Sequence, residues 1–307
     1  MFSYNEYKNI INLIGQHIPF VDFADIDKDT DKFCVLRHDI EYSIDRSLDM
    51  ARFEAGELGI SSTYCVQLRS NIYNAISNKN IDVMTEIKSL GHKIALHINP
   101  PVMDLSDVKE YISNDIKTLE RHYEFEIDRF SFHIPKKEYL KPYIQIEDKI
   151  NCYDRLFFHY FDEKKPSKVR VLYLADSNHQ WKYGHPLDFD FSKIKKLQLL
   201  THPYSWTRNG FENFKNTSNL IRERTGLLSR YKDSAEIDVV AFTSAQPLSD
   251  GNPVDEFNSA MKMIGANVKF LNFEPRVLNT QRQRVLDTLW KLNQEKNYDV
   301  VFCPSTY

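Results

Sequence analysis

Short apolar runs alternate with longer segments of helical periodicity along the first two thirds of the chain. Six of these runs predict β-strands, at residues 33–36, 61–68, 93–97, 129–132, 169–174 and 197–200. Residues 43–58, 81–90 and 105–123 carry apolar side chains at helical spacing, and Gly59 and Gly91 stand where two of these helices would end. Strands that alternate with helices are typical of βα units, so the pattern predicts an α/β fold with a mainly parallel sheet.

A second alternation follows a polar, charged stretch near residues 208–233. It predicts strands at residues 237–243, 268–273 and 300–303, with helices at 254–264 and 280–296 between them. Three such strands have about the length of half a Rossmann-like domain. We therefore predict a first domain over residues 1–215, a helical linker over 216–235 and a partial Rossmann-like βαβαβ segment over 236–307.

The composition of the chain argues against several classes of protein. The 307 residues are 42% hydrophobic, the net charge is −3, and no basic stripe stands out, so we expect no nucleic-acid partner. No apolar run approaches the roughly 20 residues of a membrane span, and the N-terminus lacks the features of a signal peptide. The four cysteines, which form no CxxC pair, suit reduced thiols in a cytoplasmic protein.

The first strand runs directly into a cluster of charged side chains. Arg37, His38, Asp39 and Glu41 follow the apolar residues, and on an extended backbone Asp39 and Glu41 would share one face. Carboxylates at the carboxyl end of a strand in an α/β fold suit a metal ligand together with a general base. A surface salt bridge between Arg37 and Asp39 is the alternative interpretation.

Histidines follow three further strands of the predicted sheet. His97, His133 and His202 each stand at the carboxyl end of a strand, and parallel strands would bring these ends to one rim. Imidazole and carboxylate groups at one rim predict a Zn²⁺ or similar divalent site. A hydrogen-bonded histidine at a strand end remains the alternative for each one alone. His92 precedes its strand, so we expect it to cap a helix or lie on the surface.

Asp176 and Trp181 form another candidate, just after the strand at residues 169–174. A carboxylate here would suit the orientation of a catalytic imidazole, and the indole would suit stacking on a sugar ring. An Asx-turn beside a half-buried tryptophan is the alternative interpretation.

Five stretches of the chain, taken in order, resemble the polysaccharide deacetylase (NodB-homology) superfamily. They are LRHDIEYSIDRSLDMARFEAGELGISSTYCVQL, SLGHKIALH, FSFHIP, DSNHQW and LLTHPYSW, between about residues 30 and 208. The resemblance implies a distorted (β/α) barrel of about seven strands that binds a divalent metal, with zinc expected. It also implies hydrolytic removal of an acetyl or other acyl group from an N-acylated amino sugar of a surface polysaccharide or its precursor.

The resemblance also implies roles for single residues. Asp39 would be the general base, and His202 would be the general acid, supported by Asp176. The expected metal ligands are Asp39, Glu41, His97 and His133. The expected substrate-binding residues are Arg37, His38, Trp181 and Trp206.

The chain departs from the pattern of that family at several positions. Ile40 separates Asp39 from Glu41 where the family has two adjacent aspartates, and Pro101 stands where a second histidine is usual. The third motif also lacks its usual arginine, and His133 is the expected replacement ligand. These departures keep a second hypothesis open, in which the protein is a catalytically inactive, deacetylase-like glycan-binding or scaffold protein.

The tail at residues 236–307 resembles the PIG-L family of deacetylases. The matching features are VVAFTSAQ, a helix with Glu256 and Ala260 before Gly265, and DVVFCPSTY. The opening His-Pro-Asp-Asp and closing His-x-Asp-His motifs of that family, which carry its zinc ligands, are missing, so we expect a degenerate or truncated module. A nucleotide-dependent transferase is disfavoured, because no glycine-rich phosphate loop lies near residues 237–247.

Overall fold

The chain forms two units in the computed structural model, one that runs to Phe214 and one of Lys215–Pro304. The structure describes residues 2–100, 104–133, 137–140, 144–146, 148–158 and 171–229, and between 236 and 298 it describes short stretches. The assignment of residues 216–235 as a linker, and of the tail as a PIG-L-like module, stays a prediction.

The first unit is built on a seven-stranded sheet in which every neighbouring pair of strands is parallel. The strands are β1 (Phe33–Ile40), β2 (Thr63–Val66), β3 (Lys93–Ile98), β4 (Arg129–Phe132), β5 (Ile150–Asn151), β6 (Val171–Ala175) and β7 (Lys196–Thr201). Their order is β5-β4-β3-β2-β1-β7-β6, so β1 lies inside the sheet. The predicted α/β fold with a distorted (β/α) barrel is confirmed.

Helices precede or connect these strands. They are α1 (Tyr4–Gly15), α2 (Ile44–Phe53), α3 (Asn78–Ser89), α4 (Leu105–Tyr123) and α5 (Lys137–Leu140). Helix α6 (Asn213–Ser229) follows β7 and lies mostly in the second unit. Helix α2 begins where it does because Ser43 has an extended backbone and its Oγ accepts a hydrogen bond from the Arg46 amide. It continues into a π-helical turn, Glu54–Leu58, which Gly59 ends in the left-handed conformation. Within the described residues, no helix is long and apolar enough to cross a membrane.

Strand β1 is longer than its apolar run predicts. It continues through Ile40, because Arg37 pairs in register with Thr63 of β2 on one side and with Leu200 of β7 on the other. Arg37, His38 and Asp39 therefore lie within a fully buried strand, and only Glu41 follows it.

The two faces of β1 contact different parts of the core. Cys34 and Leu36 pack in a cluster with buried side chains of α1, whereas Phe33 and Val35 pack in another cluster. Because side chains alternate along a strand, Arg37 and Asp39 share the face of Phe33 and Val35. His38 lies on the opposite face, and this alternation decides which polar residues meet at the site.

The second unit contains two described parallel strands and one further described helix. These are β8 (Asp238–Ala241), β9 (Asn267–Phe270) and α7 (Arg282–Lys296). The predicted strand at residues 300–303, the residues Glu256, Ala260 and Gly265, and the stretch 299–307 lie outside the described residues.

Candidate metal and acid–base site

Two side chains that the sequence places far apart meet at the carboxyl ends of β1 and β3. The Oδ2 atom of Asp39 lies 3.5 Å from Nε2 of His97, and both side chains are buried. The strands β1, β2 and β3 are consecutive in the sheet, so their carboxyl ends lie along one rim. This is the convergence of acid and imidazole that the strand-end pattern predicts.

Three potential metal ligands gather at that rim. Glu41, His97 and His133 each offer one ligand atom, and these atoms all lie within 4.8 Å of one another. His133 Nδ1 lies 3.3 Å from His97 Nε2 and 3.1 Å from Glu41 Oε1. The side chains of Glu41 and His133 are 20% and 22% exposed, so the cluster is open to solvent on their side.

The chemistry of these donors fits a divalent cation. Two imidazole nitrogens and one carboxylate oxygen form a ligand set that Zn²⁺ accepts, with room left for a further ligand. His97 Nδ1 lies 2.7 Å from Ser131 Oγ, and a hydrogen bond from Nδ1–H to that oxygen directs the Nε2 lone pair into the cluster. Burial lowers the pKa of His97 to about 4 although Asp39 opposes the shift, so this imidazole is neutral and able to ligate at pH 7.

Asp39 is held by an arginine of its own strand. Arg37 donates from Nε to Oδ1 at 2.9 Å and from Nη2 to Oδ2 at 2.8 Å, and its side chain is completely buried. Burial alone would raise the pKa of Asp39, but Arg37 and then His97 hold it well below its usual range. The ion pair that the sequence offered as an alternative therefore exists, but it is buried and not on the surface.

Asp176 binds His202 at the carboxyl end of β7. His202 Nδ1 lies 2.6 Å from Asp176 Oδ1, and Asp176 Oδ2 accepts hydrogen bonds from the His202 amide and from Nε1 of Trp206. Burial would lower the pKa of His202, but Asp176 and then Glu41 raise it to about 9. A protonated imidazole thus presents Nε2 at 3.6 Å from Glu41 Oε1, next to the ligand cluster.

Comparisons with known proteins find similar solved structures at low identity. No family model matches the chain, and no curated protein matches it. The Xyl-CE4 domain of a multidomain xylanase from the hindgut metagenome of Trinervitermes trinervoides is 11% identical, with a TM-score of 0.36 over 65% of this chain and 84% of that one. The chitin deacetylase of the fungal pathogen Colletotrichum lindemuthianum is 14% identical, with a TM-score of 0.36 over 64% and 84%.

A pseudoenzyme of the CE4 family from Bacillus anthracis is similar to the same extent. It is 10% identical, with a TM-score of 0.38 over 67% of this chain and 68% of that one. The chain is thus similar to a CE4 domain, to a chitin deacetylase and to a CE4 pseudoenzyme alike. Likeness at these TM-scores says nothing about chemistry, which depends on the residues of the rim.

Two of the predicted substrate-binding residues lie behind the rim. Trp206 is completely buried, and its indole N–H donates to Asp176. Trp181 is half-buried, and its ring packs against Phe2 and Trp206 in the cluster beneath α1. The Trp206 indole therefore holds Asp176, and Trp181 packs against Trp206.

His38 is not brought to the rim either. Its Nδ1 lies 2.6 Å from Thr201 Oγ1, and its Nε2 lies 2.9 Å from Glu54 Oε1, on the face of β1 opposite Asp39. Arg37, the fourth predicted substrate-binding residue, holds Asp39 and is buried. Arg37 and His38 therefore both lie behind the rim, on opposite faces of β1.

Glu54 is a buried carboxylate that sequence reasoning missed. It lies in the π-helical turn after α2, and it accepts hydrogen bonds from the hydroxyls of Tyr7, Ser62 and Tyr64 in addition to its contact with His38. Burial would raise the pKa of Glu54, but His38 is the main cause that lowers it to about 2. A signal exists in the sequence, because position 54 continues the buried face of α2 at helical spacing.

The expectation for His92 is wrong. This histidine is 2% exposed, its Nδ1 accepts a hydrogen bond from the Ser62 amide, and its Nε2 lies 3.0 Å from the Ala51 carbonyl oxygen. It links α2 to the strand region because both ring nitrogens find backbone partners there. Pro101, where the family pattern has a histidine, lies outside the described residues.

Proposed function

We propose that the protein is a metal-dependent hydrolase that removes an N-acyl group, acetyl in the first instance, from an amino sugar of a surface polysaccharide or its precursor. One observation carries the hydrolytic part: a three-ligand cluster shares its rim with an ionised carboxylate, Asp39, and a protonated imidazole, His202. The sugar part rests on the five motifs that resemble polysaccharide deacetylases.

Glu41, His97 and His133 are the residues that would hold the cation, with zinc favoured by their nitrogen and oxygen donors. A divalent cation there would supply Lewis acidity, which polarises the amide carbonyl and makes a water molecule more acidic. Asp39, which the sequence predicts both as a ligand and as the base, is not a member of this cluster. Both of its carboxylate oxygens accept hydrogen bonds from Arg37, so we assign it the role of the base alone.

The proton transfers can be assigned to two side chains. The oxygen of the attacking water bonds to the amide carbon, and its proton passes to Asp39. When the carbon–nitrogen bond breaks, the leaving nitrogen takes the proton of His202 Nε2, which yields a free amine and a carboxylic acid that then ionises in water. Asp176 keeps Nδ1 of His202 occupied, so Nε2 is the nitrogen that faces the substrate.

A catalytically inactive glycan-binding protein is the second candidate, and the Arg37–Asp39 pair favours it. Both carboxylate oxygens of Asp39 accept hydrogen bonds from Arg37, and the pKa of Asp39 lies well below its usual range. A general base is most effective when its pKa lies near the working pH. Asp39 would be a weak base unless substrate binding loosens this pair.

Metal content and acetate release distinguish the two candidates. We expect about one divalent ion per chain by mass spectrometry, and acetate release from oligomers of N-acetylglucosamine. The double substitution His97→Ala, His133→Ala should abolish both. His122→Ala is the matched control, because it removes an exposed imidazole at the end of α4, and it should change neither quantity. A folded protein that binds no metal and releases no acetate would support the second candidate, the catalytically inactive glycan-binding protein.

The cytoplasmic location and the PIG-L-like character of the tail remain proposals. Three described cysteines are buried free thiols, which suits a reducing compartment. Cell fractionation with a tagged full-length chain would test the location.

A further inference from the structure

An exposed aromatic ring lies next to the candidate ligand Glu41. Tyr42 follows Glu41 in the short connection between β1 and Ser43, the N-cap of α2, and it is 43% exposed. Its ring centroid lies 4.6 Å from that of Tyr204, with the two planes at 69°. The ring of Tyr204 in turn lies 6.0 Å from that of His202. Aromatic surface therefore extends from solvent to the candidate general acid.

The backbone around Tyr42 is fixed on both sides. On the strand side, the hydroxyl of Tyr73 donates to the Ile40 carbonyl oxygen at 2.7 Å. On the helix side, Ser43 accepts from the Arg46 amide at 3.2 Å. A ring held in this way loses little conformational freedom when a ligand packs against it.

The partner ring is fixed as well. Arg46 is buried, and its guanidinium donates to the carbonyl oxygen of Tyr204. Tyr204 lies in a short 3-10 turn, Pro203–Ser205, directly after His202. The edge of Tyr204 thus supports one side of Tyr42 while much of the Tyr42 ring stays in solvent.

We infer that Tyr42, supported by Tyr204, binds the apolar face of a pyranose ring of the substrate. This inference rests on the proposed function and adds the group that recognises the sugar. One face of a pyranose carries C–H bonds, which pack well on the electron-rich face of an aromatic ring. A sugar ring on Tyr42 would place an equatorial substituent toward Glu41 and His202, where the scissile amide must lie.

The other aromatic candidate is less suited to this role. Trp181 packs with Phe2 and Trp206, and its indole nitrogen is buried. Tyr183 is as exposed as Tyr42, but it packs on Tyr173 of β6, whereas Tyr42 adjoins Glu41 and packs on the ring next to His202. Tyr183 therefore offers a control of matched residue type and exposure.

Calorimetric titration of the full-length protein with two tetrasaccharides tests the inference. The N-acetylglucosamine tetramer carries the acyl group, whereas cellotetraose has the same ring faces and no acyl group to remove. We expect Tyr42→Ala to weaken binding of both by about tenfold, the size of a lost aromatic contact. Tyr42→Phe, which keeps the ring, and Tyr183→Ala should each bind within about twofold of the wild type.

Several results would overturn the inference. One is that the wild type binds neither sugar saturably; another is that the affinity of Tyr42→Ala lies within about twofold of the wild type. The others are that Tyr42→Phe binds as weakly as Tyr42→Ala, or that Tyr183→Ala loses as much affinity as Tyr42→Ala. Tyr42→Leu repeats the test with the packing against Tyr204 largely retained, should the alanine variant unfold. If sugar binding depends on Tyr42 but no acetate is released, the proposed hydrolase activity is refuted and the role of Tyr42 stands. If acetate is released with a KM that does not change in Tyr42→Ala, the role of Tyr42 in sugar binding is refuted and the hydrolase activity stands.

Discussion

His202 Nδ1 lies 2.6 Å from Asp176 Oδ1, and this buried contact fixes both the position and the charge of the imidazole. The same carboxylate also accepts from the His202 amide and from the Trp206 indole. Asp176 therefore binds the backbone at the end of β7, the imidazole of the candidate acid and the indole that follows the next turn.

Asp176→Asn should remove the charge that keeps His202 protonated. The pKa of His202 is about 9, raised mainly by Asp176 against the effect of burial, so the wild type should lose activity only as the pH rises through that value. The variant should lose it at lower pH, nearer the ordinary histidine pKa of 6.5, so activity at pH 7 should fall by about fourfold through loss of the protonated imidazole alone. The pH profile of acetate release measures this.

The same substitution has a consequence for stability with a defined sign. The folded pKa of His202 lies above the ordinary value of 6.5, so the stabilisation is complete below pH 6.5 and disappears as the pH rises through about 9. The difference in unfolding free energy between wild type and Asp176→Asn should therefore shrink at alkaline pH. A difference that stays constant from pH 6 to 10 would contradict the assigned charge state.

Ser131→Ala should weaken metal binding without removing a ligand. Ser131 Oγ lies 2.7 Å from Nδ1 of His97 and orients its other nitrogen into the cluster. Loss of such an outer partner typically lowers metal affinity by about 10- to 100-fold. Competition with a chromogenic chelator measures the affinity. Ser113→Ala, which removes an exposed hydroxyl of α4, should leave it unchanged.

Arg37→Met should leave Asp39 buried without its cation. In the wild type, the stabilisation from Asp39 is present above the ordinary pKa of 3.8 and is lost only at much lower pH, because Arg37 lowers the pKa in the folded state. Removing one partner of a buried pair costs about 3–5 kcal/mol, so we expect a loss of that size in urea unfolding at pH 7. Any remaining activity should decline at a higher pH on the acid side, since the pKa of Asp39 rises.

Arg37→Lys separates charge from geometry. A lysine keeps the positive charge but cannot donate two parallel hydrogen bonds to one carboxylate. Stability should recover in part. If the acid limb of the pH profile stays where it was in both variants, Asp39 is not the base.

The positions of the strands along the chain could be predicted from the sequence because burial and periodicity leave a local signal. The apolar runs near residues 33, 93, 129 and 197 each lie in a strand of the parallel sheet. The carboxyl end of β1 was placed too early, since Arg37 and Asp39 look like the end of a strand. Arg37 and Asp39 lie inside the strand because they form an ion pair with each other. A pattern of hydrophobic and polar positions does not reveal which charged residues pair.

Which residues meet at the rim could be predicted only in part from the sequence, for a similar reason. Parallel strands align their ends, so Asp39 and His97 could be expected to meet. The face on which a residue lies is harder to predict: His38 adjoins Asp39 in sequence but contacts Thr201 and Glu54 on the other side of the sheet. Such partners come from separate elements, and only the folded sheet brings them together.

Glu54→Gln tests whether the buried carboxylate supports the sheet from behind the rim. The pKa of Glu54 is about 2 in the fold, against an ordinary value of 4.5, and His38 is the main cause of the lowering. A shift of this size corresponds to roughly 3 kcal/mol, which is present above pH 4.5 and lost as the pH falls toward 2. We expect the variant to unfold at lower urea than the wild type at pH 7, and the gap to narrow in acid.

Glu57→Gln is the matched control for that measurement. Glu57 belongs to the same π-helical turn as Glu54 but is exposed, so its substitution should change the unfolding free energy by less than about 0.5 kcal/mol. An equal loss in both variants would mean that the turn responds to any change of charge. A loss confined to Glu54→Gln, largest at neutral pH, would assign the effect to the contacts of Glu54 with His38, Tyr7 and Tyr64.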